Sequence, residues 1–97
     1  MAHETMADSE GFLENLTGRD VVLDMASPYV HIGKLNGLDE RYFELLDADA
    51  HDLRDTGTTR ELYVLESKRH GPRPNRKRVL VRRDEVVSIS ALDDVLD

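Results

Sequence analysis

Residues 79–90 of the chain read VLVRRDEVVSIS and contain two aliphatic, β-branched runs, VLV and VVSIS. The charged residues RRDE separate the two runs. Because β-branched residues favour strands, the pattern predicts two short strands joined by a tight polar connection. A two-stranded ribbon is only marginally stable in water. We therefore expect both strands to pair with further strands, in this chain or in a second copy of it.

Composition restricts the class of protein. The 97 residues suffice for one domain, and the 39% hydrophobic fraction suffices for a modest core. The chain has no cysteine, which predicts neither a disulfide nor a thiolate metal site and favours the cytoplasm. No apolar run is long enough to cross a membrane, and the acidic start MAHETMADSE argues against a secretory signal.

The net charge of −7 is unevenly distributed. Residues 1–59 carry 4 basic and 13 acidic groups, residues 60–83 carry 9 basic and 2 acidic groups, and residues 84–97 carry 5 acidic groups only. Phosphate binding needs a local excess of positive charge. Residues 60–83 are therefore the part of the chain best suited to contact nucleic acid.

The first half of the chain predicts a short helix followed by three strands. Residues 1–8 are expected to form a disordered acidic tail, and Ser9 is a candidate helix cap. Strands are predicted over residues 20–26, from residue 29 onward and over residues 41–51. The apolar alternation changes face at Gly33, which indicates a bulge or sharp bend. Asn36-Gly37 predicts the turn before the third strand.

Residues 52–77 predict an insertion between the third and fourth strands. Residues 52–58 resemble a polar turn, and Thr58 followed by Glu61 fits a capping box for a helix over residues 60–70. Gly71-Pro72 would end that helix, and residues 72–77, PRPNRK, would form an exposed basic loop. Ser90 is a candidate cap for a final helical turn.

Together these elements predict a mostly β fold. It consists of a short N-terminal helix and a bent, five-stranded antiparallel small barrel, with the inserted helix between strands 3 and 4. We assign residues 9–97 to this single domain.

The chain resembles the Sm-like (Sm/LSm, Hfq-related) family in two motifs. The first is IGKLNGLDERYFELLDADA, in which Gly33 and Asp39 have the family's separation. The second is Val81-Arg82-Arg83 followed by apolar strand residues. The resemblance implies an SH3-like small barrel that assembles into closed homo-oligomeric rings, with five to seven subunits expected.

In the family, strand 4 of one subunit pairs with strand 5 of the next, and this pairing satisfies the sheet edges. The resemblance therefore implies a subunit interface formed by Val79, Val81, Val87 and Ile89.

The resemblance also implies an RNA-binding pocket at Asp39, Arg41, Phe43, Arg82 and Arg83. Arg41 takes the position that stacks on a base, which a guanidinium plane can do. Phe43 replaces an asparagine, and Arg83 replaces a glycine, so the pocket is incomplete. The basic insertion offers a second phosphate-binding surface through Arg73, Arg76 and Lys77.

Other interpretations stay open. The arginines of the RRDE segment fit either a positively charged pore or a charged hairpin tip, and the basic insertion fits either RNA or an acidic neighbouring subunit. Asp47, Asp49 and His51 share a strand face as metal ligands do, but a solvated face is the simpler interpretation. No catalytic constellation and no cofactor site is predicted. The two functions that remain are a ring that binds RNA, of the RNA-chaperone type, and a ring that serves as a protein-interaction scaffold.

Overall fold

The computed structural model of the chain describes residues 11–97. Residues 11–14 are helical, and the predicted tail and the Ser9 cap lie outside the described residues. The remaining elements are β1 (Asp20–Met25), β2 (Tyr29–Leu38), β3 (Tyr42–Asp52), α1 (Leu53–Thr56), α2 (Arg60–His70), β4 (Arg76–Arg82) and β5 (Val86–Ala91). Short 3₁₀ turns follow β4 and β5. The predicted fold class is confirmed.

All strand pairs are antiparallel, and the sheet order is β4-β3-β2-β1-β5. The two strands of the VLVRRDEVVSIS segment therefore lie at opposite ends of the sheet and do not form a hairpin. The residues between them form a 3₁₀ turn, Arg83–Glu85. Within residues 11–97, β4 and β5 each have a single neighbouring strand.

The sheet bends sharply where β2 crosses β3 at Gly33. The register shifts between Ile32 and Lys34 because β3 contains an extra residue, Asp47, whose φ of 47° is positive. A Cβ atom on Gly33 would lie 2.9 Å from both Cα and Cβ of Ala48. The predicted bend is confirmed, and glycine is needed there because the two backbones approach closely.

Two hydrophobic clusters lie on opposite faces of the bent sheet. The inner cluster includes Val21, Leu23, Leu35 and Leu45, and Leu16 from the N-terminal segment packs against it. The outer cluster joins Val22, Val30 and Ile32 to Val64 of α2 and Leu92 of the last 3₁₀ turn. The inserted helix thus covers a second, smaller hydrophobic core.

At the edge of the outer cluster, Tyr63 of α2 contacts two polar residues of β3, Asp49 and His51. Asp49 is only 3% exposed, and the Tyr63 hydroxyl donates a hydrogen bond to its carboxylate. The Tyr63 ring stacks on His51, with centroids 3.9 Å apart and planes 3° apart. The expected solvated strand face is therefore wrong for Asp49, because α2 covers it.

Caps and turns differ from the sequence expectation in several places. The cap of α2 is Thr59 and not Thr58, since the Thr59 hydroxyl accepts the Leu62 N–H at 3.2 Å. The expected polar turn at residues 52–58 contains the helical turn α1, capped by Asp52. Gly71 ends α2 as predicted.

Three further boundaries were predicted wrongly. Asn36-Gly37 continues β2, because Asn36 forms a second bulge and the turn comes later, at residues 39–41. The basic loop is shorter than expected, since β4 begins at Arg76. Ala91, and not Ser90, precedes the final turn, and no side chain caps it.

We expect Gly33→Ala to destabilise the fold by about 1–3 kcal/mol, because the added methyl group overlaps Ala48. Urea unfolding measures this loss. Gly37→Ala is the matched control, since a Cβ there meets only a Glu44 oxygen at 3.8 Å. Equal stabilities of the two variants would contradict the close-approach explanation.

We expect Tyr63→Phe to cost about 1–3 kcal/mol, because it removes the hydrogen bond to the buried Asp49 carboxylate. The free energy of unfolding measures the effect. Tyr29→Phe, the same change at a more exposed tyrosine, should stay within about 0.5 kcal/mol of the unmodified protein. A Tyr63→Phe variant as stable as the Tyr29→Phe variant would show that the buried bond contributes nothing.

Candidate nucleic-acid interface

The loop after β2 is built around the Asp39 side chain. Its Oδ1 accepts the N–H groups of Arg41 at 2.8 Å and Tyr42 at 2.7 Å. The two hydrogen bonds are the main reason that the pKa of Asp39 lies below its usual value. Asp39 therefore shapes the loop and keeps its carboxylate ionised, which makes it a positioning residue and not a ligand for a phosphate.

Arg83 ties this loop to the turn that follows β4. The Arg83 N–H donates to the carbonyl of Arg41 at 2.8 Å, and its guanidinium donates to the carbonyl of Asp39. The same guanidinium lies 5.0 Å from the centroid of the Phe43 ring. Arg83 has a negative φ, so the backbone freedom of the family's glycine is not used here. Arg83 fastens two loops together.

The Phe43 side chain is buried. It is 4% exposed and packs in the inner cluster, so its inclusion among the RNA-contact residues is corrected: it is a core residue. Its strand position alternates with that of Tyr42, which points outward and is partly exposed.

The two fastened loops bring Arg41 and Arg82 into one surface cavity of about 420 Å³, lined also by Glu40, Tyr42 and Asp84. Arg82 pairs with Asp84 at 2.8 Å, and that hydrogen bond raises the pKa of Arg82. The cavity thus combines two guanidinium groups, one aromatic ring and two carboxylates. The sequence predicted that the two arginines meet, but it did not single out Tyr42, whose only signal was an aromatic residue next to Arg41.

The basic insertion divides into a neutralised part and an open part. Lys68 and Arg69 lie 3.5 Å and 3.9 Å from the Asp97 carboxylate, and Arg78 pairs with Glu44. Arg54 and Arg60 of the insertion pair with Asp52 and Asp24. The remaining arginine and lysine residues of the insertion are exposed and form no ion pair with a residue in the described range; they are Arg73, Arg76 and Lys77.

The open basic residues and the Arg41–Arg82 cavity lie at opposite ends of β4. The strand is seven residues long, so about 20 Å separates its first residue from its last. They are two surfaces, and a ligand that contacts both must be an extended one.

No group of three or more acidic, histidine or cysteine side chains suited to a metal ion occurs in the part of the chain that the structure describes. Tyr63 contacts both Asp49 and His51, whereas Asp47 lies exposed at the bulge. In the same range, no helix combines the length and apolar character needed to cross a membrane.

The residues expected at the subunit interface have different surroundings. Val81 is buried in the inner cluster, and Val79 and Ile89 pack against it. Val87 is 71% exposed at a bulge in β5. Leu80 of β4, which was not among the expected interface residues, is 47% exposed. The structure therefore directs Leu80 and Val87 outward, and it directs Val79, Val81 and Ile89 towards the inner cluster.

Comparison with solved structures identifies the class of fold. The Sm protein of Pyrococcus abyssii, determined in complex with a uridine heptamer, matches with a TM-score of 0.58 and 18% identity over 84% of this chain and 93% of that chain. The Sm-like protein AF-SM2 of Archaeoglobus fulgidus matches with a TM-score of 0.55 and 16% identity over 82% and 88%.

The chain therefore has the Sm-like fold. The sequence itself matches no protein-family model and no curated protein. The comparison with solved structures therefore establishes the fold of this chain.

His31 provides a test of how tightly β2 is packed. Its Nδ1 atom is buried without a partner among the described residues, and burial lowers its pKa below 6.5, with Asp49 opposing the shift. As the pH falls, the unfolded chain takes up the proton first. The contribution of neutral His31 to stability is therefore complete well above pH 6.5 and decreases as the pH falls through 6.5 towards the folded-state pKa.

We expect the free energy of unfolding to decrease between about pH 7.5 and about pH 5.5, and His31→Gln to flatten this dependence. Urea titrations at several pH values measure it. His70→Gln, at an exposed histidine, is the control and should keep the slope. A slope that survives in His31→Gln would contradict the assignment.

Proposed function

We propose that the chain assembles into a closed homo-oligomeric ring that binds RNA. In this proposal β4 of one subunit pairs with β5 of the next. Support comes from the sheet order, which leaves these two strands at the ends, and from the exposed Leu80 and Val87 on them. Edge strands with exposed apolar side chains are normally covered by a partner.

The observation that carries the RNA proposal is the pair of loops that Arg83 fastens together. They hold Arg41, Tyr42 and Arg82 around one cavity, so a base can stack on Tyr42 or on the Arg41 plane while Arg82 contacts phosphate or a base edge. Ring symmetry would repeat this cavity in every subunit and convert weak contacts into useful avidity. The Pyrococcus abyssii relative was solved with a uridine heptamer, which makes uridine-rich RNA the first ligand to test.

Affinity should be modest. Glu40 and Asp84 lie in the same cavity, and Asp84 already pairs with Arg82. A phosphate must compete with that carboxylate, and the net charge of −7 repels RNA at long range. Arg73, Arg76 and Lys77 form the second phosphate-binding surface of the proposal.

We expect Arg82→Ala to weaken binding of a short oligouridine about tenfold, because a hydrogen bond to a charged group is worth about 1.5–3 kcal/mol. Replacing Arg73, Arg76 and Lys77 together by Ala should weaken binding and reduce the salt dependence by about 0.7 per lost phosphate contact. Fluorescence anisotropy at several salt concentrations measures both.

Lys34→Ala, at an exposed basic residue outside both surfaces, is the control and should bind like the unmodified protein. Unchanged affinity both in Arg82→Ala and in the triple variant would contradict the RNA proposal.

The second candidate is a ring that serves as a protein-interaction scaffold. The buried Phe43 and the two carboxylates in the cavity favour it, because they remove a base-reading group and oppose phosphate. Native mass spectrometry distinguishes the two candidates: retained nucleic acid supports the first, and a nucleic-acid-free ring that binds no oligouridine supports the second.

A further inference from the structure

The inserted helix, the C-terminal residues and the edge of the sheet enclose an apolar groove of about 530 Å³. Its apolar lining is Val22, Leu62, Val64, Leu65, Val95 and Leu96. Leu62 is 49% exposed although it lies in this lining, so the groove is open to solvent. Ser90 of β5 also lines it, which places the groove directly beside a strand that has no outer neighbour among residues 11–97.

Strand parity places this groove on the outer face of the sheet. Ser90 pairs with Val22, and Ser88 donates a hydrogen bond to the Asp24 carboxylate at 2.8 Å. Because paired residues in an antiparallel sheet point to the same side, the outer face of β5 is formed by Ser88 and Ser90. Both side chains are small, so they leave room beside the groove.

The same parity identifies what a neighbouring β4 would present there. Val79 and Val81 point to the inner cluster, and Leu80 between them points to the outer face, opposite Glu44 of β3. A β4 strand that extends the sheet beyond β5 keeps its inner and outer faces aligned with those of β5. Its Leu80 then lies on the face that carries the groove.

The charged residues beside Leu80 are paired within their own chain. Arg78 and Arg82, two residues before and after Leu80, share its face of β4 and pair with Glu44 and Asp84. In the groove lining, Arg60 is likewise bound to the carbonyls of Tyr29 and Ser27 and lies 3.7 Å from Asp24. The fit of Leu80 therefore rests on strand parity and on the apolar lining of the groove.

We propose that the groove seats Leu80 of a second copy of this chain, so that the inserted helix and the C-terminal residues form part of the subunit interface. The proposal rests on the ring assembly proposed above and adds to it a contact outside the strand edges. The groove is incomplete without the neighbouring copy, and the insertion is then an element of self-recognition in addition to a carrier of basic residues.

Cysteine crosslinking tests the contact directly, because the chain has no cysteine of its own. A Leu62→Cys chain is mixed and reassembled with a Leu80→Cys chain, and a short bis-maleimide is added. We expect a covalent pair that contains one chain of each kind, identified by mass spectrometry. The control mixture replaces Leu62→Cys with Phe12→Cys, at an exposed residue outside the groove, and should give no such pair.

A second variant measures the effect on assembly. Leu62→Lys keeps good helix propensity but places a charge in the groove, and we expect the subunit dissociation constant to rise at least about tenfold. Phe12→Lys is the matched control and should assemble like the unmodified chain. Sedimentation velocity over a concentration series measures both, and circular dichroism confirms that the variants fold.

The outcomes separate the two proposals. An assembled protein without the Leu62–Leu80 crosslink, whose Leu62→Lys variant assembles normally, overturns the groove proposal and leaves the ring. An unmodified protein that stays a single subunit at every concentration overturns both. The crosslink together with weaker assembly of Leu62→Lys supports the groove as part of the interface.

Discussion

The hydrogen-bonding edges of β4 and β5 are the constraint on which the rest of this structure depends. The sheet order places both at the ends of a five-stranded sheet, each with one neighbour within residues 11–97. Unpaired backbone groups on an edge strand favour pairing with another chain. Both edge strands are short and pair antiparallel with their single neighbour. They carry the exposed side chains of Leu80 and Val87. Neither strand contains a proline, which would block pairing.

The bend at Gly33 shapes the sheet between these edges. Because Gly33 and Ala48 approach so closely, β2 and β3 can curve around the inner cluster, to which β1 contributes Val21 and β4 contributes Val81. The same curvature exposes an outer face, which α2 and the last 3₁₀ turn cover in part. The uncovered part is the groove beside β5. The inserted helix therefore contributes both to a second core and to the wall of this groove.

Much of this architecture could be predicted from local pattern. Strand number, the bend at Gly33 and the helix over residues 60–70 follow from side-chain alternation, a glycine and turn residues. Long-range placement could not be predicted: Asp49 resembled a solvated strand residue until α2 packed over it. Likewise, the side of β4 that faces the inner cluster was decided by its pairing with β3, and this pairing left Leu80 exposed. The candidate site was predicted in part, since its arginines meet while Phe43 is buried.

Amide hydrogen exchange of the β4 and β5 segments across a dilution series tests the central claim most directly. If another copy covers these edges, peptides containing residues 76–82 and 86–91 exchange slowly at high concentration and faster on dilution. Peptides from β2, which lies between two strands of its own chain, should stay protected throughout. Exchange in β4 and β5 that is fast and independent of concentration, with β2 protected, would contradict the account.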